Sequence, residues 1–154
     1  INRIPQLYYG TEVLMNGTKE VTDGNVRCDF PGGFAGDKHN AFTAEGRTKA
    51  ENTMFNWLSK LLKWRRNNMV ITKGKQIQFI PYKGVYVIAR QWNDQTILTI
   101  LNGTSQPVTL PLDRYAEVIG NHQEAKDVIS GRKVKLGSEL QLKARDTKVI
   151  ELSM

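Results

Sequence analysis

Residues 85–102 read VYVIARQWNDQTILTILN, two runs rich in β-branched and aromatic residues on either side of Asn93 and Asp94. Asn and Asp side by side signal a turn, and the flanking runs alternate as half-buried strands do. Further short runs of this kind follow Gly74, at 77–82, 107–112, 125–130, 133–136, 140–143 and 147–152. Their spacing of about 8 to 12 residues, with turn residues between them, predicts antiparallel strands in a sandwich-like or barrel-like module.

An amphipathic helix is predicted ahead of this β-rich part, over about residues 49–67. Thr48 and Glu51 have the spacing of a capping box, in which the two side chains satisfy backbone donors at a helix start. Apolar residues then recur on one face of a 3.6-residue period, at Met54, Phe55, Leu58, Leu61 and Leu62. Trp57 and Trp64 flank this stripe, and we expect them to pack in a core rather than to stack on sugar.

Residues 10–47 are predicted to form one long loop, because periodicity disappears there and Gly, Asn, Asp and Thr dominate. Loops of such length are uncommon in compact domains and tend to be functional or disordered, and the phenylalanines of this one favour order. Just before the loop, residues 6–9 read QLYY between Pro5 and Gly10, which predicts a short buried strand. A strand needs partners, so we expect further sequence on its amino-terminal side.

The loop carries six carboxylates with no cue that fixes two of them at a catalytic separation: Glu12, Glu20, Asp23, Asp29, Asp37 and Glu45. Hydrolysis of a glycosidic bond needs two carboxyl groups at set distances, so no catalytic residue is assigned to this chain. Asp23 and Arg27 stand out because both can hydrogen-bond vicinal hydroxyls. The alternative is a local surface ion pair, worth at most about 1 kcal/mol.

No metal site and no cofactor are predicted. His39 and His122 lie far apart with no other soft ligand near either in the sequence, and the single cysteine, Cys28, cannot form an internal disulfide. No apolar run approaches the length of a membrane-spanning helix, so no membrane span is predicted.

The net charge of +7 raises the question of a nucleic-acid partner. Most of the excess lies in residues 49–76, which hold 7 basic side chains and 1 acidic one. This is one helix and its exit, and lysine-rich solvated faces are common on helices. The charge pattern therefore favours a solvated helix surface, and no nucleic-acid partner is predicted.

Three stretches resemble the α-amylase family, glycoside hydrolase family thirteen. RIPQLYYGTE at 3–12 is similar to the last strand of the family's barrel. DGNVRCDFPGG at 23–33 resembles the loop after that strand in the cyclomaltodextrinase and neopullulanase branch, and NTMFNWLSKLLKWRRNN at 52–68 resembles the branch's final barrel helix. The later strands are similar in architecture to the β-sandwich that family members place after the barrel.

The resemblance implies an α+β fragment with two parts. Residues 1–74 would be the last βα unit of a (β/α)8 barrel, and residues 75–154 an antiparallel all-β sandwich. A complete barrel takes about 250 residues, so the seven earlier units and the catalytic carboxylates are expected before Ile1. The parent enzyme would be a retaining hydrolase of α-1,4-glucosidic bonds in maltooligosaccharides, cyclodextrins, pullulan or starch, and this fragment alone would be inactive.

The resemblance also assigns a substrate-binding role to Asp23 and Arg27. The family carries an Asp and an Arg in the same order and spacing on the loop after strand eight, where they bind a sugar. The proline that usually follows this Asp is Gly24 here, so a more flexible loop is expected. The implied partners are an α-glucan bound through the full-length enzyme and the rest of the barrel, together with self-association of the fragment through uncovered apolar faces.

Two alternatives to this interpretation remain at the level of sequence. The β-rich part could act alone as a carbohydrate-binding module, with stacking residues among Tyr82, Tyr86, Trp92 and Tyr115, although core packing is favoured for these rings. A basic nucleic-acid binder would use Lys60, Lys63, Arg65 and Arg66. The compartment stays open, because the family resemblance is compatible with a periplasmic, secreted or cytoplasmic protein.

Overall fold

The computed structural model describes residues 5–152, which form two compact units. The amino-terminal unit comprises residues 5–62 and the carboxyl-terminal unit residues 63–152. No helix in the described part of the chain combines the length and the apolar character needed to cross a membrane.

The carboxyl-terminal unit is a set of eight antiparallel strands. They are β1 (Lys75–Gln78), β2 (Val85–Trp92), β3 (Gln95–Asn102), β4 (Val108–Pro111), β5 (Glu124–Asp127), β6 (Lys133–Lys135), β7 (Glu139–Leu142) and β8 (Thr147–Leu152). Six of them form one sheet in the order β1-β2-β3-β8-β5-β6, and β4 pairs with β7 in a second sheet. Every run after Gly74 that the sequence predicts as a strand overlaps one of these strands, so the antiparallel β-domain is confirmed.

The two sheets enclose one core, which explains the alternating pattern of the sequence. Side chains from the larger sheet meet those of the small sheet there, namely Val85, Val87, Leu98, Ile100 and Ile150 with Leu110, Leu140 and Leu142. Tyr115, on a 3-10 turn at Asp113–Tyr115 before a short helix (Ala116–Ile119), adds a large ring that is 1% exposed. Because successive side chains point to opposite faces, only every second position of each strand enters this core.

The opposite face of the larger sheet is covered by a helix that the sequence analysis missed. This helix, Met69–Lys73, begins at Asn68, whose Oδ1 accepts a hydrogen bond from the amide of Ile71 at 3.3 Å. It lies against β2 and β3 and buries Val70 and Ile71. Arg90 is buried on β2 as well and donates from Nη1 to the carbonyl of Gly74 at 2.9 Å. Burial, followed by the charge of Arg65, lowers the pKa of Arg90.

Two strand predictions extended too far. In the run 77–82, pairing ends at Gln78, and Tyr82 makes only an isolated bridge to Val85. In the run 125–130, the strand ends at Asp127 because its Oδ1 accepts hydrogen bonds from the amide and the hydroxyl of Ser130 and closes a turn. Local side-chain bonding to the backbone competes with sheet pairing at such positions.

The predicted amphipathic helix is confirmed as α1, Lys49–Arg66. Its capping box is formed in both directions. The amide of Thr48 donates to Glu51 Oε2 at 2.7 Å, and the amide of Glu51 donates to Thr48 Oγ1 at 3.3 Å. The other oxygen of Glu51, Oε1, lies 3.1 Å from Nε2 of His39. The start of α1 is therefore tied to the preceding loop as well as to its own first turn.

This capping box should make the stability of α1 depend on pH. The hydrogen bond from the Thr48 amide is the largest cause that lowers the pKa of Glu51. A carboxyl group whose pKa is lower in the folded state stabilises the fold at pH values above its unfolded-state pKa. That stability is lost as the pH falls through the folded-state pKa. Glu51→Gln should therefore lower the melting temperature at pH 7 and have a smaller effect at about pH 3. The helical signal in circular dichroism measures the melting temperature.

The exposed loop residue Glu45 provides the control for this experiment, because its carboxylate bonds to no residue that the structure describes. Glu45→Gln should leave the melting temperature unchanged at both pH values. An effect of Glu51→Gln that is equally large at both pH values would contradict the role given to the ionised carboxylate.

The strand predicted at residues 6–9 is not formed in this structure. Residues 5–8 are irregular, and Tyr9 and Gly10 lie in a turn. Leu7, Tyr8 and Tyr9 are 48%, 55% and 42% exposed instead of buried. The physical reason is that none of the eight strands pairs with this segment, and a single strand leaves its backbone groups without partners.

The long loop is irregular, as predicted, and it is held together by specific contacts. The rings of Phe30 and Phe42 lie 4.7 Å apart. The carboxylate of Asp37 accepts hydrogen bonds from the amides of Gly32 and Phe34 at 2.9 and 3.0 Å. Arg47, at the end of the loop, stacks its guanidinium 3.9 Å from the ring centroid of Phe55 on α1. These contacts support the prediction that the phenylalanines order the loop.

Candidate functional site

Asp23 and Arg27 lie at the two ends of a single 3-10 turn, Asp23–Val26. Thr22 precedes this turn, and its Oγ1 accepts a hydrogen bond from the amide of Asn25 at 3.2 Å. At the other end, the amide of Arg27 donates to the carbonyl of Gly24 at 2.9 Å. Both candidate side chains are exposed, so the turn presents a carboxylate and a guanidinium to solvent on a short piece of regular backbone.

The turn is anchored by contacts that do not involve the side chains of Asp23 and Arg27. Oδ1 of Asn25 accepts a hydrogen bond from the amide of Thr18 at 2.7 Å. Gly17 lies so close to the carbonyl of Asn25 that a Cβ on this glycine would collide with it. The segment around Gly17 therefore supports the turn through atoms that are independent of Asp23 and Arg27.

The ion pair considered as the alternative for Asp23 and Arg27 is not formed. Neither the carboxylate nor the guanidinium makes a hydrogen bond or an ion pair with any residue in the described range 5–152. Exposed ionic groups without protein partners keep all their bonding positions for water or a ligand. The pair can therefore accept and donate hydrogen bonds at once without breaking an existing contact.

Tyr9 lies next to this turn and fixes its exit. Its hydroxyl donates a hydrogen bond to the carbonyl of Cys28 at 2.8 Å. Partial desolvation is the largest cause that raises the pKa of Tyr9, followed by Tyr8, Cys28 and Asp29, while the charge of Arg27 lowers it. A phenol is protonated at neutral pH even at its ordinary pKa, so the Tyr9 hydroxyl can donate this hydrogen bond.

A small cleft of about 90 Å³ lies beside the turn and is lined by residues such as Tyr8, Tyr9, Asn16 and Asn25. It has room for about three waters and is well below the several hundred Å³ of a ligand pocket. Asp23 and Arg27 do not line it. The two candidate residues thus form an open surface site and not an enclosed one.

The remaining loop carboxylates do not form a metal-binding group in the part of the chain that the structure describes. Asp37 is engaged with backbone amides, as loop carboxylates commonly are. Within residues 5–152, no three His, Cys, Asp or Glu side chains come together in a way that could hold a metal ion. His39 contacts Glu51, and Nδ1 of His122 lies 2.6 Å from the carbonyl of Ile119, so each histidine has a local structural contact.

Comparison with known proteins identifies the β-rich part. Residues 76–151 match the family model of the cyclo-malto-dextrinase C-terminal domain. The chain is a carboxyl-terminal segment of an α-amylase-family protein, glycoside hydrolase family thirteen. The family expected from the sequence is therefore confirmed.

Solved structures show the same fold over most of the chain. An α-amylase from Geobacillus thermoleovorans, complexed with acarbose, is 23% identical with a TM-score of 0.68, over 96% of this chain and 29% of its own. An Anoxybacillus α-amylase is 18% identical with a TM-score of 0.63, over 95% of this chain and 28% of its own. The trehalulose synthase of Pseudomonas mesoacidophila is 17% identical with a TM-score of 0.55, over 74% of this chain and 20% of its own. The chain thus spans less than a third of the length of these α-amylase-family structures.

Within the cyclo-malto-dextrinase C-terminal domain, the four aromatic candidates for sugar stacking have different surroundings. Tyr115 is in the core, as favoured from the sequence. Tyr82 is covered by the guanidinium of Arg114 at 4.8 Å from its centroid, and Tyr86 donates its hydroxyl to Gln78 at 2.9 Å. Trp92 is 36% exposed, whereas Tyr82 and Tyr86 are half-buried, so Trp92 has the most accessible ring of the four candidates.

Proposed function

We propose that this chain is the carboxyl-terminal part of a retaining α-glucan hydrolase that cleaves α-1,4-glucosidic bonds in maltooligosaccharides, cyclodextrins, pullulan or starch. In this proposal residues 1–74 complete the catalytic barrel with its last βα unit, and residues 75–154 form the β-sandwich that follows it. The catalytic carboxylates belong to the preceding barrel units, and the chain contributes substrate contacts and a stabilising domain. The proposal involves no cofactor and no nucleic-acid partner.

The observation that carries the proposal is the state of Asp23 and Arg27. Both are exposed, both lack protein partners in the described range, and both sit on a turn that other residues anchor. A carboxylate accepts hydrogen bonds from sugar hydroxyls, and a guanidinium donates several in a fixed fork. Vicinal hydroxyls of one glucosyl unit could therefore bond to both residues while the loop backbone stays in place.

Uncovered apolar surface on the amino-terminal unit supports the assignment of this unit to a larger barrel. One side of α1 borders an open groove of mostly apolar character, lined by Leu14, Ala50, Met54 and Trp57 among others. Leu62, on the predicted apolar stripe of the same helix, is 37% exposed. Soluble proteins cover most contiguous apolar surface, so we propose that other barrel units pack here and that the isolated chain self-associates instead.

The isolated chain should not hydrolyse α-glucans. Incubation of purified residues 1–154 with a chromogenic maltooligosaccharide should release chromophore no faster than buffer, because the proposal places both catalytic carboxyl groups in preceding sequence. A full-length protein assayed in parallel supplies the positive control. Turnover by the isolated chain that is abolished by Asp29→Asn, or by changing another of its own carboxylates, would overturn the proposal.

A further inference from the structure

A second polar pocket, of about 160 Å³, lies in the carboxyl-terminal unit. It opens where the start of β3, the end of β8 and β5 meet, and its polar lining consists of Asn68, Gln95, Thr96, Lys126 and Glu151. Glu151 on β8 is the cross-strand partner of Ile97 on one side and of Lys126 on the other. The sheet register therefore sets a carboxylate and an ammonium on neighbouring strands at the same pocket.

One oxygen of Glu151 is fixed by two donors. Its Oε1 accepts hydrogen bonds from Nε1 of Trp64 at 2.7 Å and from Nδ2 of Asn68 at 3.2 Å. No hydrogen bond to Oε2 comes from the described residues. A carboxylate offers about four acceptor positions, so Glu151 is held in one orientation and keeps free acceptor capacity. A bonded and oriented acceptor of this kind is preorganised for a ligand hydroxyl.

Lys126 provides the complementary donor. Lys126 is exposed. Its ammonium makes no ion pair with Glu151 and no hydrogen bond to another residue within 5–152. The two charges thus line one pocket without closing on each other. Thr96 is 6% exposed, and its hydroxyl accepts a hydrogen bond from Gln91 Nε2 at 3.2 Å, so the hydroxyl proton remains available to donate.

The charge and size of the pocket select the class of ligand. One positive and one negative side chain give the pocket no net charge. An anion would be repelled by Glu151, and a cation would be repelled by Lys126. A hydroxyl can donate to Glu151 Oε2 while a neighbouring hydroxyl accepts from Lys126, and the amides of Asn68 and Gln95 can serve either role. A volume of about 160 Å³ corresponds to about five waters, enough for one small polyol or the edge of one sugar ring.

We propose that this pocket binds the edge of a single neutral sugar ring through Glu151 and Lys126. The site is separate from Asp23 and Arg27, which belong to the other unit, and its existence does not depend on the proposed function of those residues. It also differs from stacking on an exposed aromatic ring, because the contacts are made by ionic and amide groups.

The indole N–H of Trp64 is a built-in reporter for this site, because it is bonded to the carboxylate that would contact the sugar. Two-dimensional ¹H–¹⁵N spectra of residues 1–154 would be recorded during titration with D-glucose and with maltose. The Trp64 signal, assigned with Trp64→Phe, should shift saturably. The indole signals of Trp57 and Trp92 should stay in place.

Lys126→Met should weaken this binding about tenfold, as expected for the loss of one hydrogen bond from a charged donor. Lys135→Met is the matched control, because Lys135 is an exposed lysine on the adjacent strand β6 and does not line the pocket. It should leave the titration unchanged. Both lysines are exposed, so neither change should unfold the domain.

Four results would overturn the inference. They are a Trp64 signal that no sugar moves, a shift that Lys126→Met leaves unaltered, an equal shift caused by sodium acetate or ammonium chloride, and a sugar-dependent shift confined to Trp92. The last would place sugar binding at the β2–β3 turn instead. The effect of changing Asp23 on the activity of the full-length protein is measured separately. The sugar site at Glu151 and Lys126 and the proposed function can therefore fail independently.

Discussion

Asp23→Ala in the full-length protein should lower kcat/KM for maltooligosaccharide hydrolysis by about tenfold to a hundredfold. Hydrogen bonds to a charged group contribute about 1.5–3 kcal/mol, and the alanine removes every bond that the carboxylate would make to sugar. Arg27→Met should have an effect of similar size. The double variant should lose less than the product of the two, because both side chains are proposed to bind the same glucosyl unit.

Steady-state kinetics with a chromogenic maltooligosaccharide check this prediction, and the chain offers a matched control. Glu20 is another exposed carboxylate of the same loop, and Glu20→Gln should retain nearly full activity. The melting temperature should be unchanged in Asp23→Ala, because Asp23 has no side-chain partner among the described residues. A kcat/KM within twofold of wild type for both Asp23→Ala and Arg27→Met would remove these residues from the substrate site.

Leu98→Ala should destabilise the β-domain by about 2–5 kcal/mol. Leu98 is 1% exposed, lies on the central strand β3 and packs in the core between the two sheets. Removing a buried leucine side chain loses its transfer free energy and leaves a cavity that the surroundings fill only partly. Because a small domain is stable by only about 5–15 kcal/mol, this loss would be a large part of the total.

Urea unfolding of residues 1–154, followed by tryptophan fluorescence, measures the effect. Ile80 provides the control, because it is 82% exposed in the same unit and makes little contact with the core. Ile80→Ala should change the free energy of unfolding by less than about 0.5 kcal/mol. A Leu98→Ala variant as stable as Ile80→Ala would contradict the position of the core.

The β-domain and α1 could be predicted from the sequence because their signals are local. Alternation of apolar residues along 85–102 is a property of neighbouring positions, and the capping box of Thr48 and Glu51 spans four residues. Both features appear in the structure as predicted. The errors in these elements concern their ends, as at Asp127, where a side chain bonds to nearby backbone and closes a turn.

The features that could not be predicted depend on distant residues. Trp64 and Glu151 are separated by 87 positions, and nothing near either one in the sequence signals that they bond. The strand expected at residues 6–9 is absent from this structure for the same reason, because a strand exists only where other strands pair with it. Asp23 and Arg27 were singled out by composition and given a role by family resemblance, and no periodic pattern identifies them.

The most direct test of the central proposal is a crystal structure of the full-length protein with a bound maltooligosaccharide. The account predicts that residues 6–9 pair as a barrel strand and that the side chains of Asp23 and Arg27 both hydrogen-bond one glucosyl unit. A structure in which residues 6–9 remain unpaired and the 3-10 turn at Asp23–Val26 points away from the bound sugar would contradict it.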